Sequence, residues 1–268
     1  MVWKSRKDRI VRKSRKDWIV KKSPAATPHH PQNSLHMMIP QDYLRQLILS
    51  RSWPSLTTAL DKMSNMQFRL TVKFLREQLL PTIDDCDLFW EALAHIILYK
   101  SKAMITCIVA AKGLAQSGRL RFDTEGCRRI KDHLAAHQPE ALTKIAMMTV
   151  PLLVTEEQIE TMLDAFGINT AEQRIAILLT TGSPLAYFTI FKTLKMSEDT
   201  ELTRRCCTSL IKRKEDMAFN AACIFKEYFG LEDLPAQFSL KIEHYELSHI
   251  DRDYSTFLRM LNGKRPTI

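Results

Sequence analysis

Glycine is scarce in this chain: only seven of its 268 residues are glycine. This scarcity argues against a β-rich fold and against an enzyme built on glycine-rich loops. The chain also contains no run of 18 apolar residues, so we expect no transmembrane span. These absences favour a helical globular body, for which the apolar fraction of 45% and the charged fraction of 26% are ordinary.

The cysteine pattern gives no support to a disulfide framework. None of the six cysteines falls in a CxxC pair, and most lie within apolar helical stretches. The charged N-terminus is not followed by an apolar segment, so no signal peptide is expected. We therefore expect reduced, buried thiols in a cytoplasmic protein.

Positive charge is concentrated at the N-terminus. The formal net charge is +9, yet residues 1–22 alone hold ten Lys/Arg and two Asp, which gives +8. The remaining 246 residues hold 29 Lys/Arg and 28 Asp/Glu and are therefore nearly neutral. The high isoelectric point, about 9.3, comes from a short tail and does not indicate a basic body.

A nine-residue direct repeat fills most of residues 1–23, where KSRKDRIVR (Lys4–Arg12) is followed by KSRKDWIVK (Lys13–Lys21). A nine-residue step places its apolar pairs on opposite helix faces, so an amphipathic helix is not expected. We expect a disordered basic tail, and the alternative is an electrostatic arm for phosphates or anionic lipid. As a nucleic-acid arm it would use its cations and two stacking tryptophans: Trp3, Lys4, Arg6, Lys7, Arg9, Arg12, Lys13, Arg15, Lys16, Trp18, Lys21 and Lys22.

The rest of the chain divides into a linker, one domain and a short end. Residues 24–40 contain four prolines and no periodicity, which is typical of a linker. From residue 41 onwards apolar residues recur at helical spacing, which predicts a single all-helical domain over residues 41–263. Its last helical region is expected at about residues 240–262, and residues 264–268 form a C-terminal tail.

Start and stop signals for helices recur through this domain. Thr155 with Gln158 and Thr170 with Gln173 have capping-box spacing, and Ser197 is predicted to cap a further helix. Glycine in the left-handed conformation commonly ends a helix. Five of the seven glycines fall just past a predicted helix: Gly118, Gly167, Gly182, Gly230 and Gly263.

The apolar stretch at residues 84–117 predicts a two-helix hairpin at the centre of the domain. Its second helix, residues 101–117, has almost no polar face, so we expect it to be covered on all sides. The core residues predicted there are Met104, Ile105, Ile108, Val109 and Leu114.

The predicted fold class is all-α, with the disordered basic tail outside the fold. Consecutive helix pairs with short turns predict either an irregular α-solenoid of the HEAT or armadillo type or a multi-helix bundle. No sequence signature recurs at a fixed period, so the pattern leaves both architectures open.

An acidic cluster at Asp84, Asp85 and Asp87 is a candidate for magnesium-dependent chemistry, because such clusters can hold metal-bound diphosphate in helical enzymes. No second acidic motif accompanies it. The favoured interpretation is that these carboxylates complement the positive N-terminus of the next helix.

Two further motifs are near misses. Residues 113–120 approach the phosphate-binding loop, but Arg119 and Leu120 replace its lysine and hydroxyl, and the segment is predicted to close a helix. His133 and His137 have the spacing of a zinc pair, although the glutamate of the HExxH motif is missing. His95 lies in an apolar helix and is expected to be a satisfied interior or boundary histidine and not a catalytic base.

The functional prediction is a non-enzymatic helical scaffold that binds another protein through a groove of stacked helices, with no cofactor. One alternative is nucleic-acid binding through the basic arm of residues 1–23. The other is a small metal-dependent enzyme that uses Asp84, Asp85 and Asp87.

Overall fold

A computed structural model of the chain describes residues 39–99, 105–234 and 244–263, which contain fourteen α-helices and no strand. The helices are α1 (Gln41–Leu49), α2 (Trp53–Asp61), α3 (Asn65–Phe74), α4 (Cys86–Tyr99), α5 (Lys112–Gln116), α6 (Glu125–His137), α7 (Pro139–Thr149), α8 (Glu156–Ala165), α9 (Ala171–Thr181), α10 (Pro184–Ser197), α11 (Thr200–Lys212), α12 (Asp216–Tyr228), α13 (His244–Leu247) and α14 (Tyr254–Leu261). The all-α class is confirmed.

Short non-α segments complete the described chain. A π-helical segment, Leu75–Leu79, extends α3, and 3₁₀ segments occupy Leu80–Thr82, Ile105–Ala111 and Val150–Leu152. All the described residues belong to one unit, His36–Ile268. In the part of the chain that the structure describes, no helix is both long and apolar enough to cross a membrane.

The predicted helix starts are confirmed where a hydroxyl faces a free backbone amide. Thr155 Oγ1 accepts from the amide of Gln158 at 3.2 Å, and Thr170 Oγ1 accepts from that of Gln173 at 3.2 Å. Each bond satisfies one of the amides that a helix leaves open at its first turn. Four of the five predicted glycine stops have positive φ, namely Gly118, Gly167, Gly182 and Gly230, whereas Gly263 does not.

Two helix boundaries differ from the sequence prediction. Ser197 is the last residue of α10, and the cap of α11 is Asp199, whose Oδ1 accepts from the amide of Leu202 at 2.9 Å. The expected last helix is two helices, because Asp253 accepts from the amide of Ser255 and begins α14 afresh. In both places an aspartate side chain accepts from an amide of the first turn, and its negative charge is favourable at the positive end of the helix.

The prediction that residues 101–117 form one central helix is corrected by the structure. Residues 105–111 form a 3₁₀ helix and only residues 112–116 form an α-helix, while Met104 lies outside the described residues. Ile108 and Leu114 are buried as predicted, Ile105 is partly buried, and Val109 is 48% exposed. The helix that is covered on nearly every side is instead α4, which buries Phe89, Trp90, Ala92, Leu93, Ala94, Ile96 and Ile97 completely.

Helix α4 is buried because α6 approaches it at backbone distance. Gly126, in the first turn of α6, faces the α4 backbone so closely that a Cβ there would lie 2.4 Å from the amide nitrogen of Glu91. Trp90 is fully buried and donates from Nε1 to the carbonyl oxygen of Arg121 at 2.7 Å. The smallest residue thus sits where the two helices meet, which permits their close packing.

The remaining helices pack mainly on neighbours that are one or two places along the chain. Helices α9 and α10 form one packed pair and α11 and α12 form another, with α9 against α11 and α10 against α12. Helix α10 also contacts α8 and α14. These contacts are compatible with both predicted architectures, so the choice between solenoid and bundle stays a prediction.

Candidate functional site

The three aspartates of the acidic cluster each face an arginine. The pairs are Asp84 with Arg119 at 3.0 Å, Asp85 with Arg51 at 2.9 Å, and Asp87 with Arg121 at 3.4 Å. Asp85 Oδ1 also accepts from the amides of Asp87 and Leu88 at 2.9 and 3.2 Å, as a cap of α4 does. Each carboxylate is therefore already paired with a guanidinium group, where a divalent cation would have to bind instead. Within the described residues, no group of three or more His, Cys, Asp or Glu side chains is arranged to hold a metal.

The segment that resembles a phosphate-binding loop closes a helix. Gly118 adopts φ of 70°, and the amide of Arg119 donates to the carbonyl of Leu114 at 2.9 Å. This geometry ends α5, whereas a phosphate loop would present its amides at the start of a helix. The structure therefore favours the helix stop.

The candidate histidines contact protein groups. His133 and His137 stack with ring centroids 4.5 Å apart, and His137 Nδ1 lies 2.9 Å from the carbonyl of His133. His95 stacks on Trp53 at 4.7 Å, and its Nε2 accepts from Arg129 Nη1 at 3.2 Å. Burial and the positive charge of Arg129 lower the pKa of His95, so the ring is neutral at physiological pH.

The six cysteines are all buried thiols outside any disulfide, as the sequence predicts. Burial raises the pKa of Cys107, Cys127 and Cys207 to about 12, and it raises the pKa of Cys206 as well. A thiol with such a pKa is protonated at neutral pH and is a poor nucleophile. The cysteines therefore act as core residues.

A cleft of about 870 Å³ opens between α8, the start of α9 and the end of α10. We call it the charged cleft. Its lining residues are Glu156, Glu160, Asn169, Ala171, Arg174, Lys192, Thr193, Lys195, Met196, Ser197 and Asp251.

Ion pairs of both signs line the charged cleft. Lys192 Nζ lies 2.7 Å from Glu156 Oε1 and 5.1 Å from the centre of the Phe188 ring. Lys195 pairs with Asp251, which lies 56 residues further along the chain. Because each cation has its counter-ion beside it, the charges are arranged in pairs across the cleft wall.

Arg174 is the most firmly held cation of the charged cleft. It pairs with Glu160 and with Asp164, and its Nε donates to the carbonyl of Ile168 at 3.0 Å. The guanidinium therefore ties α8 to the first turn of α9. Burial raises the pKa of Glu160, and the charge of Arg174 opposes that rise.

The rim of the charged cleft is apolar at one point. Met196 is 86% exposed, the largest exposed fraction among the large apolar residues that the structure describes. Beside it, the hydrogen bond between Lys195 and Asp251 raises the pKa of Lys195 and lowers the pKa of Asp251. Both pKa values therefore shift further from pH 7, whereas a general acid or base works best with a pKa near the operating pH.

Sequence reasoning did not find the charged cleft. Its Lys192–Glu156 and Lys195–Asp251 pairs join residues 36 and 56 positions apart, its Arg174–Glu160 pair joins residues 14 apart, and no motif spacing marks them. The tail residues predicted as a nucleic-acid arm, from Trp3 to Lys22, lie outside the described residues. No protein-family model, no curated protein and no solved structure matches the chain.

Proposed function

We propose that the helical body is a protein-binding scaffold and that the charged cleft is its binding groove. The observation that carries the proposal is the combination, in one cleft, of ion pairs of both signs with a methionine that is 86% exposed. Methionine is enriched at protein interfaces, where its flexible side chain adapts to a partner surface. Small-molecule sites, by contrast, are mostly apolar with a few convergent polar groups.

The partner that fits is a protein segment with charges of both signs around an apolar side chain. Its acidic groups would meet Lys192 and Lys195, and its basic groups would meet Glu156 and Asp251. Such an exchange of ion pairs gives specificity and register more than affinity, so the apolar contact with Met196 supplies the anchor. The described residues of the lining include neither histidine nor cysteine, and binding needs no covalent step.

Met196→Asp is expected to weaken partner capture and to leave the fold intact, because the side chain is almost fully exposed. Losing an anchor contact of about 1–2 kcal/mol corresponds to roughly a five- to thirtyfold loss of affinity. The measurement is quantitative mass spectrometry of proteins that the immobilised full chain captures from a cell extract treated with nuclease.

Leu49→Asp is the matched control, since Leu49 is 54% exposed on α1 and does not line the cleft. Proteins retained by the wild type and by Leu49→Asp but depleted with Met196→Asp support the proposal. Equal capture by all three chains, or capture that is seen only from an extract without nuclease treatment, would contradict it.

A further inference from the structure

Helix α3 presents a second surface, on the side away from the core. Its inner face buries Phe68 and Val72, and Ser64 caps its first turn through the amide of Gln67. Its outer face holds Met66 and Leu70, which are 67% and 51% exposed. Because they are four residues apart, the two side chains lie side by side along the helix.

Two cations form a second row beside these apolar residues. Arg69 and Lys73 are exposed and also four residues apart, so the basic row runs parallel to the apolar row. Neither makes an ion pair with any residue that the structure describes, whereas Arg51 and Arg119 on other surfaces are paired. We call Met66, Arg69, Leu70 and Lys73 the α3 face.

We propose that the α3 face binds an acidic amphipathic helix of another protein. A partner helix with two apolar residues at four-residue spacing can cover Met66 and Leu70, and a row of Asp or Glu beside them can meet Arg69 and Lys73. The unpaired charges select an acidic partner and accelerate its association.

A lipid surface fits the α3 face less well than a helix does. Helices that lie in a membrane interface bury a broad apolar face against the acyl chains. The broad apolar face of α3 is already buried in the core. Met66 and Leu70 are the only apolar residues of this helix that a membrane could contact. The proposal goes beyond the charged cleft, because the two surfaces share no residue.

A selection from an unbiased display library tests the proposal on the full chain. The library holds helical peptides of about 16 residues, roughly 24 Å long, in which Leu, Ala, Glu and Lys vary at the exposed positions. The selected sequences are expected to carry Glu rows beside paired Leu residues. Their dissociation constants are then measured by fluorescence anisotropy against the wild type and the variants.

The double variant Arg69→Gln with Lys73→Gln is expected to weaken binding about tenfold or more, as is Leu70→Asp. The matched control is Lys112→Gln with Lys144→Gln, which removes two exposed lysines without an ion pair to a described residue and changes the net charge equally. We expect the control to bind as the wild type does. Circular dichroism and thermal unfolding of each variant check that the helical domain still folds cooperatively.

Four outcomes would overturn the proposal. The first is that the selection yields helices without acidic residues or yields no helix at all. The second is that the control variant weakens peptide binding as much as the Arg69→Gln, Lys73→Gln variant does. The third is binding of the chain to phosphatidylserine vesicles that depends on Arg69 and Lys73 while no acidic helix is enriched. The fourth is a homodimer, detected by sedimentation, that Leu70→Asp dissociates, because the α3 face would then be occupied by a second copy.

Discussion

Gly126→Ala is expected to destabilise the domain by about 3 kcal/mol, at the upper end of what an inserted methyl group costs in a packed core. The new Cβ would lie 2.4 Å from the amide nitrogen of Glu91 and 2.5 Å from the carbonyl carbon of Trp90. Both are backbone atoms, so no side chain can rotate away and α6 must move off α4. That movement would also stretch the bond from Trp90 Nε1 to the carbonyl of Arg121.

Thermal unfolding measures this effect, and a loss of about 3 kcal/mol corresponds to a fall in Tm of roughly 6–12 °C for a domain of this size. Gly113→Ala is the matched control, because its Cβ would meet only the carbonyl oxygen of Pro81, at 4.0 Å. In the helix α5 that substitution should stabilise by up to about 1 kcal/mol, since alanine loses less backbone entropy than glycine. A Gly126→Ala variant as stable as Gly113→Ala would contradict the backbone contact between α4 and α6.

Ile108→Asp is expected to abolish cooperative folding. Ile108 is fully buried in the 3₁₀ segment at residues 105–111, which packs against α4, α7 and the π-helical segment. Removing the side chain from the core costs about 2–3 kcal/mol, and burying an unpaired carboxylate costs several more. The sum is comparable to the whole stability of an ordinary domain, about 5–15 kcal/mol.

Val109→Asp is the matched control, because it places the same carboxylate one residue further along the chain at an exposed position. Val109 is 48% exposed, so its carboxylate would remain in water and the change in unfolding free energy should stay within about 1 kcal/mol. Urea titration followed by circular dichroism compares the two variants. A cooperatively folded Ile108→Asp chain, or equal damage from Val109→Asp, would show that this segment is not packed as described.

Helix positions were predictable from the sequence wherever a local signal fixes them. Thr155 and Thr170 cap α8 and α9, and Gly167 and Gly182 end them, because each signal acts within a few residues of the chain. The prediction fails where two local signals compete, as at Ser197, which lies two residues before Asp199, the residue that caps α11. Local chemistry therefore fixes helix existence better than helix boundaries.

The apolar segment at residues 105–111 shows why composition alone could not fix the core. Its residues are apolar all round, which predicts a fully covered α-helix. The structure gives a 3₁₀ helix, whose three residues per turn place Val109 outward while Cys107, Ile108, Ala110 and Ala111 are buried. Tertiary packing selected the helix type, and no residue in the segment signals the change.

The charged cleft could not have been predicted because its pairs are distant in sequence. Lys195 meets Asp251 only after α10 and α14 have packed together, and Lys192 meets Glu156 across α8 and α10. The acidic cluster, by contrast, was visible in the sequence, and the structure shows its carboxylates facing arginines. The helix cap was predictable because its residues are adjacent in sequence, whereas the residues of the charged cleft come together only in the folded chain.

The central claim is that another protein binds in the charged cleft, and hydrogen–deuterium exchange on the complex tests it most directly. The full chain is measured alone and with the protein that it captures in a Met196-dependent manner. We predict slower amide exchange in the last turns of α10, around Lys192–Ser197, and at the start of α9 near Arg174. Unchanged exchange in both segments, with protection confined to α3 or to other surfaces, would contradict the claim.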